Sequence, residues 1–391
     1  MMQTLAGKEI VLAVTGSIAA VETVRLVHDL RRRGAGVQAV MSTAGAGIVA
    51  PDALAYATGR PVITRISGLV EHVTWCGDEG KADLLLIAPC TANTISKIAC
   101  AIDDTPVTTF ATTAIGRGMP VLVVPAMHHS MYRHPGVAGN LERLRAWGIG
   151  IVDPRIEEGK AKIAENEEIV LRAERAILGG PLAGKRVLVT SGPCREPVDD
   201  VRVLTTRSSG QVGRALALQA FRLGAEVTVV HRDTFPCVEN IRIETAAEMS
   251  TAVLRYLAEH GGADVYLSAA AISDLAPVVT DGKIPGGKAV TLDLVPLPKL
   301  LDRVLADYAP LTIAFKLGRR PEKGARAMID RGVAMVLMNA PETMGRKDGE
   351  YVRLDAQGTG RMAGTKDEIA VGVWEEILAR HLPPPGPGSG T

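Results

Sequence analysis

Three histidines and two methionines occur within eleven residues of the chain, in the stretch PAMHHSMYRHP from Pro125 to Pro135. Imidazole is a common metal ligand, so this cluster raises the question of a metal site. His128 and His129 are adjacent, however, and adjacent side chains diverge on any regular element. No HExxH motif or carboxylate-rich segment accompanies them. We therefore favour a loop that lines a ligand site, with metal binding as the weaker alternative.

Small and polar residues also follow other apolar runs in the first half of the chain. Gly16 and Ser17 follow EIVLAVT, and Asn93 and Ser96 follow ADLLLIAPCTA. Small residues at the start of a helix let backbone N–H groups approach an anion, but hydroxyl and amide side chains there are equally suited to capping the helix. His72, in GLVEHVTW, stands alone, and a lone histidine is more often structural than catalytic.

The second half has comparable features. Ser208, Ser209 and Gly210 precede an apolar, helix-like segment, where backbone N–H groups can hold a phosphate or simply start the helix. Asp274 follows the apolar run VYLSAAA, and Lys283 comes shortly after it. An acid and a lysine at a strand end suit the handling of a Mg²⁺–nucleotide complex, although either residue alone is usually a solvated surface group.

The elements that would position these residues occur twice. EIVLAVTG and RVLVTSG each start a strand–turn–helix–strand pattern, and right-handed βαβ crossovers of this kind build parallel sheets. Nearly continuous apolar runs such as LLLIAP, VLVVPA and TIAFKL are typical of parallel strands covered on both faces. The pattern predicts an α/β protein with two Rossmann-like, doubly wound parallel-sheet domains, whose ligands bind beyond the carboxyl ends of the strands.

The Gly/Pro-rich segment LGGPLAG predicts the boundary between these domains. We place the first domain at residues 1–178 and the second at residues 184–382. The remaining residues, 383–391, have no core formers and are predicted to be a disordered tail.

Composition narrows the functional classes. The 391 residues carry 44 Lys+Arg against 43 Asp+Glu, which gives no reason to expect a broad nucleic-acid surface. The five cysteines are scattered, which favours a reducing compartment over a disulfide framework. No apolar stretch approaches the ~20 residues of a membrane span, and the first apolar run is too short for a signal peptide. We expect a cytoplasmic protein without nucleic-acid or membrane partners.

Taken in order, GSIAA, EHVTW, APCTANTISKIACAIDD and PAMHHSM resemble motifs of the homo-oligomeric flavin-containing cysteine decarboxylases. The resemblance covers residues 7–175 and is closest to the decarboxylase half of a bifunctional family of coenzyme A biosynthesis, the phosphopantothenoylcysteine decarboxylase/phosphopantothenate–cysteine ligases. It implies a flavodoxin-like domain with FMN. The residues that it places around the flavin are Gly16, Ser17, Thr43, Asn93 and Ser96.

The same resemblance implies two catalytic histidines. His72 matches the active-site histidine of the family, and His128 stands where the family motif PAMN has an asparagine that contacts the substrate carboxylate. Histidine can also donate a hydrogen bond to a carboxylate, so we interpret His128 as a variant that keeps this role. The segment EEGKAKIAEN, residues 157–166, corresponds to a flap that in many relatives bears a cysteine for the final protonation. It has no cysteine here, so the proton donor stays open.

In the second half, TSGPCREPVDDVR, RSSGQVG, AAAISDLAP, DGKI and IAFK resemble the ligase half of the same family, over residues 184–380. That half activates the carboxylate of 4′-phosphopantothenate with CTP and Mg²⁺ as an acyl-cytidylate, from which cysteine displaces CMP. The residues that the resemblance places at CTP are Ala270, Asp274, Lys283, Phe315, Arg326 and Arg331. Among these, Asp274 would also bind Mg²⁺ and Lys283 would also be catalytic.

The residues that the resemblance places at the phosphopantothenate or the acyl-cytidylate are Thr206, Ser208, Ser209 and Gly210. Thr206 stands where the family has an asparagine that handles the acyl-cytidylate. The run KIPGGK replaces a KIKK-like run, so that Lys283 is kept while Pro285 replaces the second lysine.

Together the resemblances imply a bifunctional enzyme that uses 4′-phosphopantothenate, cysteine and CTP and makes 4′-phosphopantetheine, with FMN and Mg²⁺ as cofactors. They also imply a homo-oligomer, with trimers of the flavin domain and dimers of the ligase domain that could build a dodecamer. Two alternatives remain. A flavin oxidoreductase that uses a nicotinamide nucleotide is disfavoured because the first strand–helix turn lacks GxGxxG. A non-catalytic, flavin-binding regulatory protein is disfavoured by the presence of His72, Asp274 and Lys283.

Overall fold

The structure is a computed structural model that describes residues 2–157, 160–287, 289–343, 345–346 and 348–382. The tail predicted at 383–391 therefore lies outside the described residues. The chain divides into two compact units, which meet in sequence between Gly179 and Gly180.

The first unit contains eight strands and nine α-helices in its described part. The strands are β1 (Glu9–Val14), β2 (Gly36–Met41), β3 (Leu84–Cys90), β4 (Val121–Pro125), β5 (Met127–His128), β6 (Gly150–Ile151), β7 (Arg155–Glu157) and β8 (Lys160–Lys162). The helices are α1 (Thr23–Arg32), α2 (Thr43–Ala46), α3 (Pro51–Thr58), α4 (Glu71–Cys76), α5 (Ala92–Ala99), α6 (Pro106–Arg117), α7 (His129–Tyr132), α8 (Pro135–Ala146) and α9 (Asn166–Leu178), with a 3₁₀ helix (Ile18–Glu22) before α1.

Five of these strands form a parallel sheet in the order β2-β1-β3-β4-β6. This is the flavodoxin-like order of a doubly wound sheet, which confirms the fold class predicted for the first half. Alternate side chains of β1 enter two cores, with Ile10, Leu12 and Val14 on one face and Val11 and Ala13 on the other. Helices α1, α3 and α9 cover the first face, and α5, α6 and α8 cover the second.

The chain changes direction across the sheet at β1, because β2 lies on one side of it and β3 on the other. Ligands of doubly wound sheets bind at such a switch point, between the loops that follow the two central strands. Thr15 joins these loops: its hydroxyl donates to the carbonyl oxygen of Pro89 at 2.7 Å and accepts from the N–H of Thr91 at 3.0 Å. The residue is only 1% exposed, so water cannot replace these bonds.

The second unit contains twelve strands and five α-helices in its described part. The strands are β9 (Arg186–Pro193), β10 (Arg195–Pro197), β11 (Val203–Thr205), β12 (Glu226–His231), β13 (Glu239–Arg242), β14 (Val265–Ala271), β15 (Leu275–Pro277), β16 (Leu294–Pro296), β17 (Leu311–Leu317), β18 (Met335–Asn339), β19 (Asp348–Asp355) and β20 (Gly358–Thr365). The helices are α10 (Gln211–Arg222), α11 (Ala246–His260), α12 (Leu300–Asp307), α13 (Glu322–Ile329) and α14 (Lys366–Arg380).

Eight strands of this unit form one sheet, in the order β13-β12-β9-β14-β17-β18-β19-β20. The first six run parallel and have the strand order of a Rossmann fold, with a switch point between β9 and β14. The doubly wound sheet predicted for the second half is thus confirmed. Strands β19 and β20 add an antiparallel hairpin at one edge, which the sequence analysis did not predict. The glycine-rich segment GTGRMAGT of β20 has no apolar run that would indicate a strand.

Replacement of Thr15 by valine tests the link between the two loops of the first unit. Valine keeps the shape of the side chain but leaves the N–H of Thr91 without its partner, so the free energy of unfolding of this unit should fall by about 1–3 kcal/mol. Hydrogen exchange with mass spectrometry in a urea series measures this for the peptides of each unit separately. Thr113→Val is the control, since among the described residues the Thr113 hydroxyl bonds only to the carbonyl of Thr109 in its own helix. Equal losses in the two variants would contradict the special role of Thr15.

Candidate functional site

Three loops meet at the carboxyl end of the sheet in the first unit. A Cβ atom on Gly16 would lie 2.5 Å from the Cβ of Ala44, and one on Gly45 would lie 2.7 Å from the carbonyl oxygen of Val14. The loops after β1 and β2 can therefore approach this closely only because both positions are glycine. Thr15 adds the loop after β3 to the group.

Some polar side chains in these loops cap helices, while others make no side-chain hydrogen bond within the described part of the chain. Ser17 caps the 3₁₀ helix, since its hydroxyl accepts from the N–H of Ala19 at 3.5 Å, and Thr91 caps α5 through the N–H of Thr94 at 3.3 Å. Thr43 and Asn93 are exposed in the first turns of α2 and α5, and neither makes a side-chain hydrogen bond within the described part of the chain.

These loops suit a bound phosphate. The first N–H groups of α2 and α5 have no partner within their helices, and the free hydroxyl and amide side chains lie beside them. The stretches TGSIAA, STAGA and TANT contain no acidic residue that would repel an anion. The side chains and the glycine contacts thus fit the flavin phosphate that the sequence resemblance implies.

Ser96 and His72 lie on the helices α5 and α4. The hydroxyl of Ser96 accepts from the side-chain amide of Asn140 in α8 at 3.1 Å, which joins α5 to α8. His72 is half-buried in α4, which packs against α6, and its Nδ1 atom is buried without a hydrogen-bond partner among the described residues. Buried polar atoms are nearly always satisfied, so this ring nitrogen is able to bond to a ligand or to water.

The PAMHHSMY stretch lies beside the predicted flap. Strand β5 pairs antiparallel with β8, with His128 opposite Lys160, and β8 pairs in turn with β7. The segment 157–166 therefore contributes a strand next to His128, as a flap over this position requires.

Two of the three histidines of this stretch cap helices, while the Nδ1 atom of His129 is buried without a hydrogen-bond partner among the described residues. His128 caps α7, with its Nδ1 atom 2.8 Å from the hydroxyl of Ser130 and 3.4 Å from the Ser130 nitrogen. His134 caps α8 by accepting from the N–H of Gly136 at 3.1 Å. The described residues contain no group of three or more histidine, cysteine, aspartate or glutamate side chains arranged to hold a metal ion.

The capping role of His128 determines which ring nitrogen can donate. With Nδ1 as the acceptor of the Ser130 N–H, the neutral ring would carry its proton on Nε2. An asparagine would accept the same N–H with its side-chain oxygen and would keep its amide as a donor. Histidine and asparagine at this position can therefore each offer an acceptor to the helix and a donor to a ligand.

A cavity of about 890 Å³ adjoins this histidine. Ser17 and Ile18 line one part of it, and Met127, His128 and residues of β8 and α9 line another. Of the predicted flavin-half residues, Ser17 and His128 are in its lining, whereas Gly16, Thr43, Asn93, Ser96 and His72 are not. Most of the predicted phosphate cradle is therefore not part of the lining of this cavity.

The cations in the lining of this cavity differ in their partners. Arg155 pairs with Glu157 at 3.0 Å, Lys162 pairs with Glu157 at 3.0 Å, and Arg33 lies 3.6 Å from Glu174. Arg25, on α1, makes no ion pair or side-chain hydrogen bond within the described residues, so it is the cation available to a ligand there. Arg25 could not be predicted from the sequence, because a single arginine on an amphipathic helix resembles any other surface cation.

In the second unit, α10 begins against the end of β9. Gly210 precedes the helix with a φ of 69°, and a Cβ atom on Gly213 would lie 2.2 Å from the hydroxyl oxygen of Ser191. Ala270 pairs with Gly192 across the switch point, so Ala270 and Gly210 lie close together, as expected for residues of one site.

The remaining predicted substrate residues precede this helix. Ser208 accepts from the N–H of Gly210 at 3.4 Å, and Ser209 is exposed. The hydroxyl of Thr206 is buried without a hydrogen-bond partner in the part of the chain that the structure describes. Such an unpaired hydroxyl fits a residue that meets its partner on a bound substrate.

The predicted nucleotide residues lie on several elements. Asp274 and Lys283 are exposed in the segment after β14, and Phe315 is half-buried on β17, edge-on to Tyr351 at 6.2 Å. Arg326 is exposed on α13. The guanidinium of Arg331 already pairs with Asp302 at 2.5 Å, so a role at CTP requires this ion pair to open.

Among the described residues, no helix combines the length and the apolar character that crossing a bilayer requires.

Two protein families match the chain, one over each structural unit. Residues 2–177 match the family described as Flavoprotein, and residues 182–381 match the DNA/pantothenate metabolism flavoprotein C-terminal domain.

The relatives are similar over most of their length. The coenzyme A biosynthesis bifunctional protein CoaBC of Thermococcus kodakarensis is 46% identical and covers 95% of this chain, which covers 95% of it in return. The corresponding proteins of Methanocaldococcus jannaschii and Escherichia coli K12 are 35% and 32% identical, each over 80% of this chain, which covers 77% and 80% of them. A crystal structure of the C-terminal domain of a CoaBC protein is 27% identical, with a TM-score of 0.43, and covers 51% of this chain and 96% of its own.

Proposed function

The chain belongs to the family of coenzyme A biosynthesis bifunctional proteins, and we propose that it ligates cysteine to 4′-phosphopantothenate with CTP and decarboxylates the product with FMN. The first unit is a flavoprotein decarboxylase domain and the second is a ligase domain. The observation that carries this conclusion is the 46% identity to the Thermococcus kodakarensis protein, which spans 95% of both chains and therefore includes both halves.

In the first unit, the residues around the switch point bind and orient the cofactor. Ser17, Thr43 and Asn93, with the helix N-termini beside them, hold the flavin phosphate and ring, and His72 supplies its unpaired Nδ1 atom to the active site. Bound FMN supplies a two-electron acceptor and donor, so that carbon dioxide leaves from a thiol-oxidised substrate and no unstabilised carbanion forms.

The substrate occupies the cavity beside His128. The Nε2–H group of His128 donates to the substrate carboxylate and positions it, because Nδ1 is held by the start of α7. Arg25, which has no partner within the described residues, binds the 4′-phosphate at another part of the same cavity. The strand β8 pairs with β5 beside His128, so the segment that contains it lies next to the substrate carboxylate.

In the second unit, Ala270 and Gly210 at the switch point receive the nucleotide and the acyl-cytidylate, with Thr206, Ser208 and Ser209 beside them. Asp274 binds Mg²⁺ and Lys283 stabilises the triphosphate and the charge that develops on it. Phe315, Arg326 and Arg331 complete the CTP contacts.

The protein acts as a cytoplasmic homo-oligomer, in which flavin-domain trimers and ligase-domain dimers combine. Exposed apolar side chains support this assembly, since Ile18 is 77% exposed directly after Ser17 and Leu69 is 78% exposed just before α4. A second copy that covers these residues would complete the flavin site, which would account for a cradle that is mostly not part of the lining of the cavity.

The central test is incubation of the purified protein with 4′-phosphopantothenate, cysteine, CTP and Mg²⁺, followed by mass spectrometry. We expect a flavin absorption spectrum, formation of CMP and accumulation of 4′-phosphopantetheine. Parallel reactions without CTP, without Mg²⁺ and with ATP in place of CTP test the cosubstrate and the ion. Failure to convert both 4′-phosphopantothenate and supplied 4′-phosphopantothenoylcysteine would overturn the proposal.

Substitutions of His128 test its role at the substrate carboxylate. His128→Ala removes the donor, so decarboxylation of 4′-phosphopantothenoylcysteine should slow roughly 10–100-fold, as expected for the loss of a hydrogen bond to a charged group. His128→Asn keeps an acceptor for α7 and a donor for the carboxylate, and should stay within about tenfold of the parent protein. Both variants should retain the flavin spectrum. Full turnover by the alanine variant would show that His128 does not hold the carboxylate.

Arg25→Gln tests the phosphate contact. The KM of decarboxylation should rise roughly 10-fold or more for 4′-phosphopantothenoylcysteine and stay unchanged for the dephosphorylated substrate, because only the first carries the charge that Arg25 binds. Arg65→Gln is the control, since Arg65 is also exposed and without a side-chain partner in the described residues but does not line the cavity. An equal effect of Arg25→Gln on both substrates would contradict the assignment.

A further inference from the structure

A buried carboxylate lies outside the set of predicted site residues. Asp199 is 4% exposed and belongs to the turn that joins β10 to β11, while its neighbour Asp200 is exposed. One oxygen, Oδ1, accepts from the N–H groups of Val201 at 2.8 Å and Arg202 at 2.7 Å. This carboxylate therefore closes the turn between the two strands.

The other oxygen of Asp199 reaches a distant part of the chain. Oδ2 accepts from the N–H of Ile284 at 2.9 Å and also contacts the guanidinium of Arg202, which donates to the carbonyl oxygen of Ile284 at 3.2 Å. Both backbone polar groups of Ile284 are thus held by one ion pair. A third bond, from the N–H of Thr280 to the carbonyl of Val198 at 3.0 Å, fastens the same segment to the turn.

This arrangement keeps the carboxylate ionised. Burial by itself would raise the pKa of Asp199, but the N–H donors of Ile284, Val201 and Arg202 and the Arg202 guanidinium outweigh it and hold the pKa well below its usual value. The ionised form is required for this set of hydrogen bonds, since a carboxylate can accept from all these donors at once.

The segment fastened in this way carries Lys283, the residue directly before Ile284. Beyond Ile284 the chain has little support, because Pro285 and Gly286 are exposed and a Cβ atom on Gly286 or Gly287 would meet nothing within 4 Å. Lys283 is itself exposed, with no side-chain partner among the described residues. The backbone bonds to Ile284 and Thr280 are therefore what place this lysine.

We propose that Asp199 is a positioning residue of the ligase half, which holds the loop that carries Lys283 in place for the phosphates of the nucleotide. The inference rests on the proposed function, because it takes CTP as the ligand of Lys283. A loop that is ordered before binding does not have to lose conformational freedom when the nucleotide arrives, so the anchor raises the affinity for CTP.

Asp199→Asn is the test, with Asp200→Asn as the matched control. Asparagine at 199 can still accept from Val201 and Arg202 with its oxygen, but its NH₂ group then faces the N–H of Ile284, and the charge opposite Arg202 is lost. Asp200 is exposed and makes no side-chain bond in the described part of the chain, so its substitution changes the charge alone.

We expect Asp199→Asn to raise the KM for CTP by roughly 10-fold or more in the ligase reaction, with the KM for 4′-phosphopantothenate unchanged. Saturating CTP should restore most of kcat, because the bound nucleotide pulls the loop into place. Arg202→Met, which keeps the carboxylate and its backbone bonds, should shift the KM for CTP in the same direction by a smaller factor. Asp200→Asn should behave as the parent protein.

Hydrogen exchange distinguishes anchoring from general damage. In Asp199→Asn, peptides that cover residues 280–287 should exchange faster, and addition of CTP should restore their protection, while the rest of the second unit stays unchanged. Decarboxylation of supplied 4′-phosphopantothenoylcysteine, which belongs to the other unit, should also stay unchanged.

The outcomes distinguish failure of the proposed function from failure of the anchoring role of Asp199. A parent protein without CTP-dependent ligation would overturn the proposed function itself. A parent protein that ligates, together with an Asp199→Asn variant of unchanged KM for CTP, would overturn the anchoring role alone. Equal rises in the KM of both substrates, with faster exchange throughout the second unit, would overturn it as well, because they would mark Asp199 as a residue of general stability.

Discussion

The close approach of loops at the carboxyl ends of the parallel strands is the constraint on which both halves of this protein depend. In the first unit, the hydroxyl of Thr15 holds the loops after β1 and β3 together, and Gly16 lets the loop after β2 come into contact. In the second unit, Gly213 lets α10 begin against Ser191. These contacts bring the starts of several helices to one edge of each sheet, where their N–H groups can meet anions.

Several polar side chains at these edges cap helices and still have a polar atom that can bond to a ligand. His128 gives one ring nitrogen to the start of α7 and keeps the other as a donor, and Ser17 and Thr91 cap helices whose first turns face the same region. Capping and ligand binding are therefore not exclusive interpretations of a hydroxyl or an imidazole at a strand end. The cap sets the orientation of the side chain, and the orientation decides what the remaining polar atom can reach.

The charged side chains near the two proposed ligand sites differ in whether they have partners within the protein. In the cavity beside His128, Arg155, Lys162 and Arg33 have carboxylate partners, whereas Arg25 has none among the described residues. In the second unit, Asp199 and Arg202 are used together to hold the backbone of Ile284, and Lys283 beside it is left exposed. Arg25 and Lys283 are thus cations without a side-chain partner among the described residues, and each lies where a phosphorylated ligand is proposed.

The fold class and the family could be predicted from the amino-acid sequence alone. Apolar runs covered on both faces predict parallel strands, and the order of short motifs at their ends carries the likeness to a bifunctional flavoprotein and ligase. Local patterns suffice for this, because strand burial and helix starts depend on residues close together in the chain. The roles of individual residues depend on contacts that no local pattern contains. Thr15 meets Pro89 and Thr91, His128 lies opposite Lys160, and Asp199 binds the N–H of Ile284, each across a long stretch of sequence. These pairs are visible in the folded structure and not in the sequence, because the residue type does not reveal whether the partner of a carboxylate, a hydroxyl or an imidazole is water or a distant backbone group.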